Sequence, residues 1–227
     1  MQTNWIVRSV KLFVLATVLA AGLFVSWLSP AHAERMSFSL TSARGLEGCS
    51  QTCSTIVLAD GQIDNSSPDR FDALVRNHLG PRPRGLTVLI RSPGGYVIAA
   101  AKLGLLFRKY NATVVVATAG AMNLRSGTIK IGPAMCISAC VYAFMGGRKR
   151  VVPAGGSLVL HRSYADGTWF RGREYDNDFV RQYILAYAKS MGVATAPITY
   201  AERLPPYHVQ ALTRAQIREW KLGTVGF

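Results

Sequence analysis

Acidic residues are few in this chain: 12 Asp and Glu stand against 26 Lys and Arg in 227 residues, a formal charge of +14 at pH 7. Histidine is scarce as well, at four. No internal repeat or low-complexity tract interrupts the sequence, which excludes repeat architectures and compositionally disordered segments. The length does not demand a second folded domain, and 49% hydrophobic residues suffice for one substantial core. Cysteine is limited to four, all beyond residue 48. None lies near Ala31-His32-Ala33, which argues against a lipid-anchored form.

One long apolar run is present, Leu12 to Leu28, preceded by Arg8 and Lys11 and followed by Ser29, Pro30 and Ala31-His32-Ala33. This is the layout of a secretory signal peptide: basic start, apolar stretch, small-residue cleavage site. The expected division is therefore 1–33 signal peptide, 34–54 extended lead-in and 55–227 folded domain, with cleavage after Ala33 and a periplasmic or secreted product. The alternative is a membrane anchor formed by residues 12–28, which fall slightly short of the roughly 20 that span a bilayer. Export sets nucleic acid aside as a partner and directs the basic excess toward an anionic membrane surface, an acidic substrate or an acidic partner chain; a merely solvated surface explains it equally. In an oxidising compartment the two C-x-x-x-C pairs, Cys49 with Cys53 and Cys136 with Cys140, are expected as disulfides. Three connectivities exist, and the local pairings are favoured because short loops close readily. A zinc site prefers tighter spacing, so no metal or other cofactor is expected.

The folded part alternates strand and helix patterns. Thr55 to Ala59 is a short β-branched apolar run ending at Asp60-Gly61; Ser66-Ser67-Pro68 opens a helix carrying Phe71, Leu74, Val75 and Leu79 at helical spacing. Leu86 to Arg91, Thr113 to Thr118, Ala134 to Cys136 and Ser157 to His161 read as further strands, and Tyr96 to Tyr110, Ser138 to Met145, Glu174 to Met191 and Thr213 to Leu222 as helices. Asn123 to Gly132 reads as an inserted hairpin or loop. Such alternation implies an α/β fold with a largely parallel sheet and a functional site at the carboxyl ends of strands.

Four features are expected at those ends: Ser92-Pro93-Gly94-Gly95, Cys136-Ile137-Ser138-Ala139-Cys140, the basic turn Arg148-Lys149-Arg150, and His161. A Gly-Gly turn entering a helix leaves N–H groups uncovered by side chains, which suits a developing oxyanion. It also serves a turn that simply needs glycine dihedrals. Ser138, between small residues at a helix start, has the setting of an activated nucleophile. It equally has the setting of an ordinary helix cap. His161 closes an apolar strand and is a candidate base or a plain polar strand end.

Taken in order, these segments resemble the Clp protease and its relatives in the crotonase superfamily over about residues 55 to 225. Thr55 to Ile63 resembles that family's opening strand and Gly-Gln-Ile turn, Arg91 to Gly95 its Asn-Ser-Pro-Gly-Gly, and Gly147 to His161 its stretch from a basic turn to the catalytic histidine. The resemblance implies repeated ββα units around a largely parallel sheet. It also implies a serine peptidase acting on peptide or protein through an acyl-enzyme, with Ser138 as nucleophile, His161 as general base, the N–H groups of Gly95 and Ala139 as oxyanion hole, and a homo-oligomer. The chain departs from the pattern in its Cys-x-Ser-x-Cys bracket and in a longer interval between Gly95 and Ser138. Where the family's orienting aspartate is expected, Tyr207-His208-Val209-Gln210 holds no acid. Asp166, Glu202 and His208 are unranked candidates for that role. A catalytically inactive binding or assembly module of the same fold is the rival expectation.

Overall fold

The computed structural model describes residues 34–41, 55–83, 85–123, 128–162, 178–205 and 207–226. The segment 1–33, the Cys49–Cys53 pair and Asp166 lie outside them.

A six-stranded sheet forms the first layer. Its β-branched runs become β2 (Ile56–Asp60), β3 (Thr87–Arg91) and β4 (Thr113–Val115), joined in parallel, followed by β8 (Lys149–Val152) and β11 (Thr224–Val225). The order across the sheet is β1-β2-β3-β4-β8-β11. The edge strand β1 (Ser37–Thr41) pairs antiparallel with β2. It lies inside the segment expected as an extended lead-in, ahead of the expected start of regular structure. Phe38 and Leu40 alternate with Ser37, Ser39 and Thr41 there, a short period-2 pattern that is half exposed, as an edge strand tolerates.

Between the strands run α1 (Ser67–Leu79), α2 (Val97–Lys109) and α3 (Ala139–Met145). Phe71 of α1 and Phe107 of α2 are fully buried and meet edge to face, with ring centroids 5.0 Å apart. Helices α2 and α3 approach through glycine: a Cβ on Gly146 would stand 2.0 Å from the Gly104 carbonyl oxygen. Over that contact lies Tyr187 of α4 (Asp178–Ser190), its hydroxyl donating to the Tyr142 carbonyl at 2.8 Å. Burial pushes that phenol up to well above its ordinary pKa, so it stays a neutral donor.

A second, three-stranded sheet has the order β10-β9-β7, from β7 (Met135–Ile137), β9 (Ser157–His161) and β10 (Val209–Ala211). Strands β7 and β9 are parallel, and β10 joins β9 antiparallel. The insertion expected at Asn123 to Gly132 is an antiparallel pair, β5 (Ala117–Asn123) with β6 (Thr128–Pro133), whose arms start earlier than the sequence pattern indicates. Two short helices follow α4: α5 (Ala196–Arg203) and α6 (Arg214–Glu219), the latter opened by a capping box between Thr213 and Gln216. Among the described residues no helix is long and apolar enough to cross a membrane.

One expected strand-end feature is elsewhere. Arg148-Lys149-Arg150 enters β8 at its amino end, because Gly146 and Gly147 stop α3 and return the chain to the end of the sheet where its parallel strands begin. Arg150 is a structural tie there. Its guanidinium donates to the carbonyls of Leu222, Lys221, Met145, Gly147 and Met191, collecting backbone acceptors that helix and loop ends leave over.

Candidate active site

Strand β7 delivers the chain to Ser138, where the backbone takes φ 56° and ψ −122° before α3 begins. That region is costly for a residue with a Cβ, by about 1–3 kcal/mol, and persists only where surrounding contacts impose it. Ser138 N–H donates to the Val159 carbonyl at 2.8 Å, and the Ser138 carbonyl accepts from Val141 N–H at 2.9 Å. Its side chain makes no capping bond to the helix. The ordinary cap explanation therefore does not account for this serine. A strained strand-to-helix turn that lifts a serine hydroxyl clear of the backbone is the geometry of a nucleophile elbow.

In such elbows the positions two before and two after the serine come close together. Here they are Cys136 and Cys140, fully buried and joined by a disulfide with a Cα–Cα separation of 5.2 Å. The expected local pairing of these two cysteines is thus present, and it ties the end of β7 to the first turn of α3 across Ser138.

The Ser92-Pro93-Gly94-Gly95 turn runs against the elbow. Ser92 N–H donates to Met135 O at 3.2 Å and Ser92 O accepts from Ile137 N–H at 3.0 Å, which docks the turn on β7. Only glycine fits next: Gly94 has φ 106°, and a Cβ there would lie 2.8 Å from Ile137 O and 3.0 Å from the Ser138 Cβ. Gly95 bridges Ile63, whose N–H donates to Gly94 O at 2.8 Å and whose carbonyl accepts from Tyr96 N–H at 3.0 Å. In that pattern the N–H of Gly95 points away from Ile63. Among the described residues neither it nor the N–H of Ala139 has a backbone acceptor. Buried Ser92 sets the turn from within, its hydroxyl accepting from Gly94 N–H at 3.1 Å.

His161 ends β9, the parallel neighbour of β7. The register sets Ile137 opposite Val159, and with Ser138 bonded to Val159 O the serine falls beside the last residues of β9. Leu158 and Leu160 face the core, so Val159 and His161 share the other face. Burial holds the His161 imidazole below its ordinary pKa, an effect partly offset by a bond from its ring to the Arg162 carbonyl. That bond runs from Nδ1 at 2.5 Å. A carbonyl only accepts, so Nδ1 carries the proton and the neutral ring keeps Nε2 as its basic nitrogen.

The unranked orienting candidates part company. The Glu202 carboxylate pairs with Arg181 Nε at 2.9 Å on the flank of α4 and α5. His208 is exposed, with Nε2 3.3 Å from Gln210 Oε1, and the residue opposite His161 in β10 is Val209. Sequence reasoning gave neither of two contributors its role. Ser92 was visible only as a member of its motif. Arg162, which offers its carbonyl to His161, gives no signal in the sequence beyond its place in the chain. Among the described residues no cluster of His, Cys, Asp and Glu is arranged to hold a metal ion.

No family model and no curated protein matches this chain. Solved structures do. ClpP1 from Listeria monocytogenes shares 15% identity over 76% of this chain and 90% of its own, with a TM-score of 0.50. A mutant of it aligns at 14% identity over 76% and 90%, with a TM-score of 0.45. A mutant of the 1510-N membrane-bound stomatin-specific protease, in complex with a substrate peptide, aligns at 18% identity over 73% of this chain and 71% of its own, TM-score 0.49. At these identities the likeness establishes the fold alone: the chain has a ClpP-like, ClpP/crotonase fold.

Proposed function

We propose that this chain is an exported serine hydrolase, a peptidase that works through an acyl-enzyme on Ser138. The observation carrying the proposal is the conformation of Ser138, strained, disulfide-bracketed and without a capping bond, beside two amides that have no backbone acceptor among the described residues. In the proposed reaction Ser138 Oγ attacks the scissile carbonyl while Nε2 of His161 takes the hydroxyl proton. The N–H groups of Gly95 and Ala139 receive the oxyanion of the tetrahedral intermediate. His161 then gives its proton to the leaving amine, and water, activated by the same nitrogen, releases the acyl group. The substrate is a peptide or protein segment, the working form a homo-oligomer, and the mature chain begins at Glu34 in the periplasm or outside the cell. Intact-mass analysis of the exported protein checks that last point.

The rival, a binding or assembly module that has lost its chemistry, is favoured by one feature: Val209, not an acid, stands opposite His161. A fluorophosphonate probe separates the two. The wild type becomes labelled on Ser138, His161→Ala more slowly, and Ser138→Ala not at all. A folded, oxidised wild type that takes no label at any pH establishes the module instead.

A further inference from the structure

Resting on the reading of Ser138 and His161 as nucleophile and base, we infer that the main-chain carbonyl of Arg162 does the orienting work of a triad carboxylate, and that the Arg162 side chain is the positioning group that holds it in place. In a full triad the acid accepts the Nδ1 proton and so fixes both tautomer and ring rotation. Here the Arg162 carbonyl accepts that proton. A carbonyl of the very next residue is a weak device by itself, since the chain leaving a strand end can turn and carry it away. This one is tethered. Arg162 Nε donates to the Glu202 carbonyl at 3.0 Å. Glu202 belongs to the last turn of α5, where carbonyls lack intrahelical donors and a cation is favoured. The Glu202 carboxylate in turn pairs with Arg181 Nε, which joins the α5 end to α4.

The line from His161 Nδ1 through the Arg162 carbonyl and guanidinium to α5 and α4 converts helix packing into a fixed imidazole. It supplies orientation without a full negative charge. Among the described residues, the ionisable groups on the elements against β9 are Tyr142 of α3, Tyr200, Glu202 and Arg203 of α5, and His208 beside β10. The Glu202 carboxylate is the acid among them, and it is already bound to Arg181.

Nitrogen-15 NMR of the histidine rings in Ser138→Ala protein tests the inference without turnover, with His161 assigned by its loss in a Ser138→Ala/His161→Gln sample. The expected spectrum at neutral pH shows a protonated Nδ1 and an unprotonated Nε2. Adding Arg162→Ala should give mixed tautomers, and Arg162→Gln, which keeps a side-chain N–H donor, should restore most of the Nδ1–H form. In the Ser138 background, Arg162→Ala should slow probe labelling about 10–100-fold, the range seen when groups that orient a metal-ligating histidine are removed. If Arg162→Ala does not fold, Arg162→Met keeps the aliphatic stem and takes its place. An Nε2–H tautomer in the starting protein, or an unchanged tautomer together with unchanged labelling in the variant, overturns the inference. The expected tautomers with no labelling of Ser138 in any form overturn the hydrolase reading and leave the tether standing.

Discussion

Replacing Ser138 by glycine and by alanine tests the strain at the elbow directly. Both variants remove the hydroxyl and both should abolish labelling, but only alanine keeps the Cβ that makes φ 56°, ψ −122° costly. Relief of a conformation of this kind is worth about 1–3 kcal/mol. Against it, glycine loosens the unfolded chain by about 0.4–1 kcal/mol relative to alanine. The difference leaves Ser138→Gly more stable than Ser138→Ala by about 1 kcal/mol, a rise in Tm of about 2–4 °C for a domain of this size. Urea unfolding with the disulfide intact, followed by fluorescence and circular dichroism, gives the comparison if both variants share the same m value. At an unstrained site the order reverses, with glycine the weaker by about 0.5–1 kcal/mol. Finding that reversed order would refute the strained elbow and remove the observation on which the proposed function stands.

Three further outcomes are expected. Labelling of Ser138 should fall as pH drops and His161 becomes protonated; because burial lowers the His161 pKa, the midpoint lies below the ordinary value of about 6.5, and a midpoint above it contradicts the buried, neutral ring. Gly95→Ala places a Cβ 2.0 Å from the Ile63 carbonyl at φ 139°, so the oxyanion turn must shift: labelling should drop at least 10-fold while far-UV circular dichroism stays unchanged, and full labelling would take Gly95 out of the site. Gly146→Ala, whose Cβ meets Gly104 backbone at 2.0–2.3 Å far from the serine, should cost about 2–3 kcal/mol by forcing α2 and α3 apart, read as a lower urea midpoint.

The parts of the fold that sequence pattern revealed are those where one periodicity dominates. TIVLA and SLVLH read as strands and are β2 and β9, and the Ala- and Leu-rich stretch after Gly95 is the packed helix α2; TVVVAT, expected as one strand, breaks after Val115, and its Ala117 and Thr118 open β5 in another sheet. What escaped is short or governed by partners distant in sequence. Strands β10 and β11 have three and two residues, and their pairing with β9 and β8 depends on tertiary position. The site divides along the same line. Ser138, Gly95 and Cys136 with Cys140 announce themselves because a turn chemistry demands them locally. Arg150 suggested a charged turn, yet its role is set by five carbonyls from three separate chain segments. Arg162 belongs to the same class, since no local pattern tells that its guanidinium reaches the end of α5.

Cross-linking explains why an elbow without flanking glycines is tolerated at all. Closing the five-residue loop from Cys136 to Cys140 restricts the unfolded chain by about 2 kcal/mol on the loop-entropy relation. That is the same order as the strain at Ser138, so the bridge offsets locally what the conformation of Ser138 costs. Glycines at these two positions would allow the close approach without enforcing it, whereas the disulfide does both, and both sulfurs sit in the fully buried core. The Arg162 tether follows a similar logic on the other side of the site. Serine and histidine are each held by a link to the scaffold, one covalent and one hydrogen-bonded. In the proposed reaction this arrangement gives positional order through a main-chain carbonyl, which should make the rate depend more on geometry than on electrostatics.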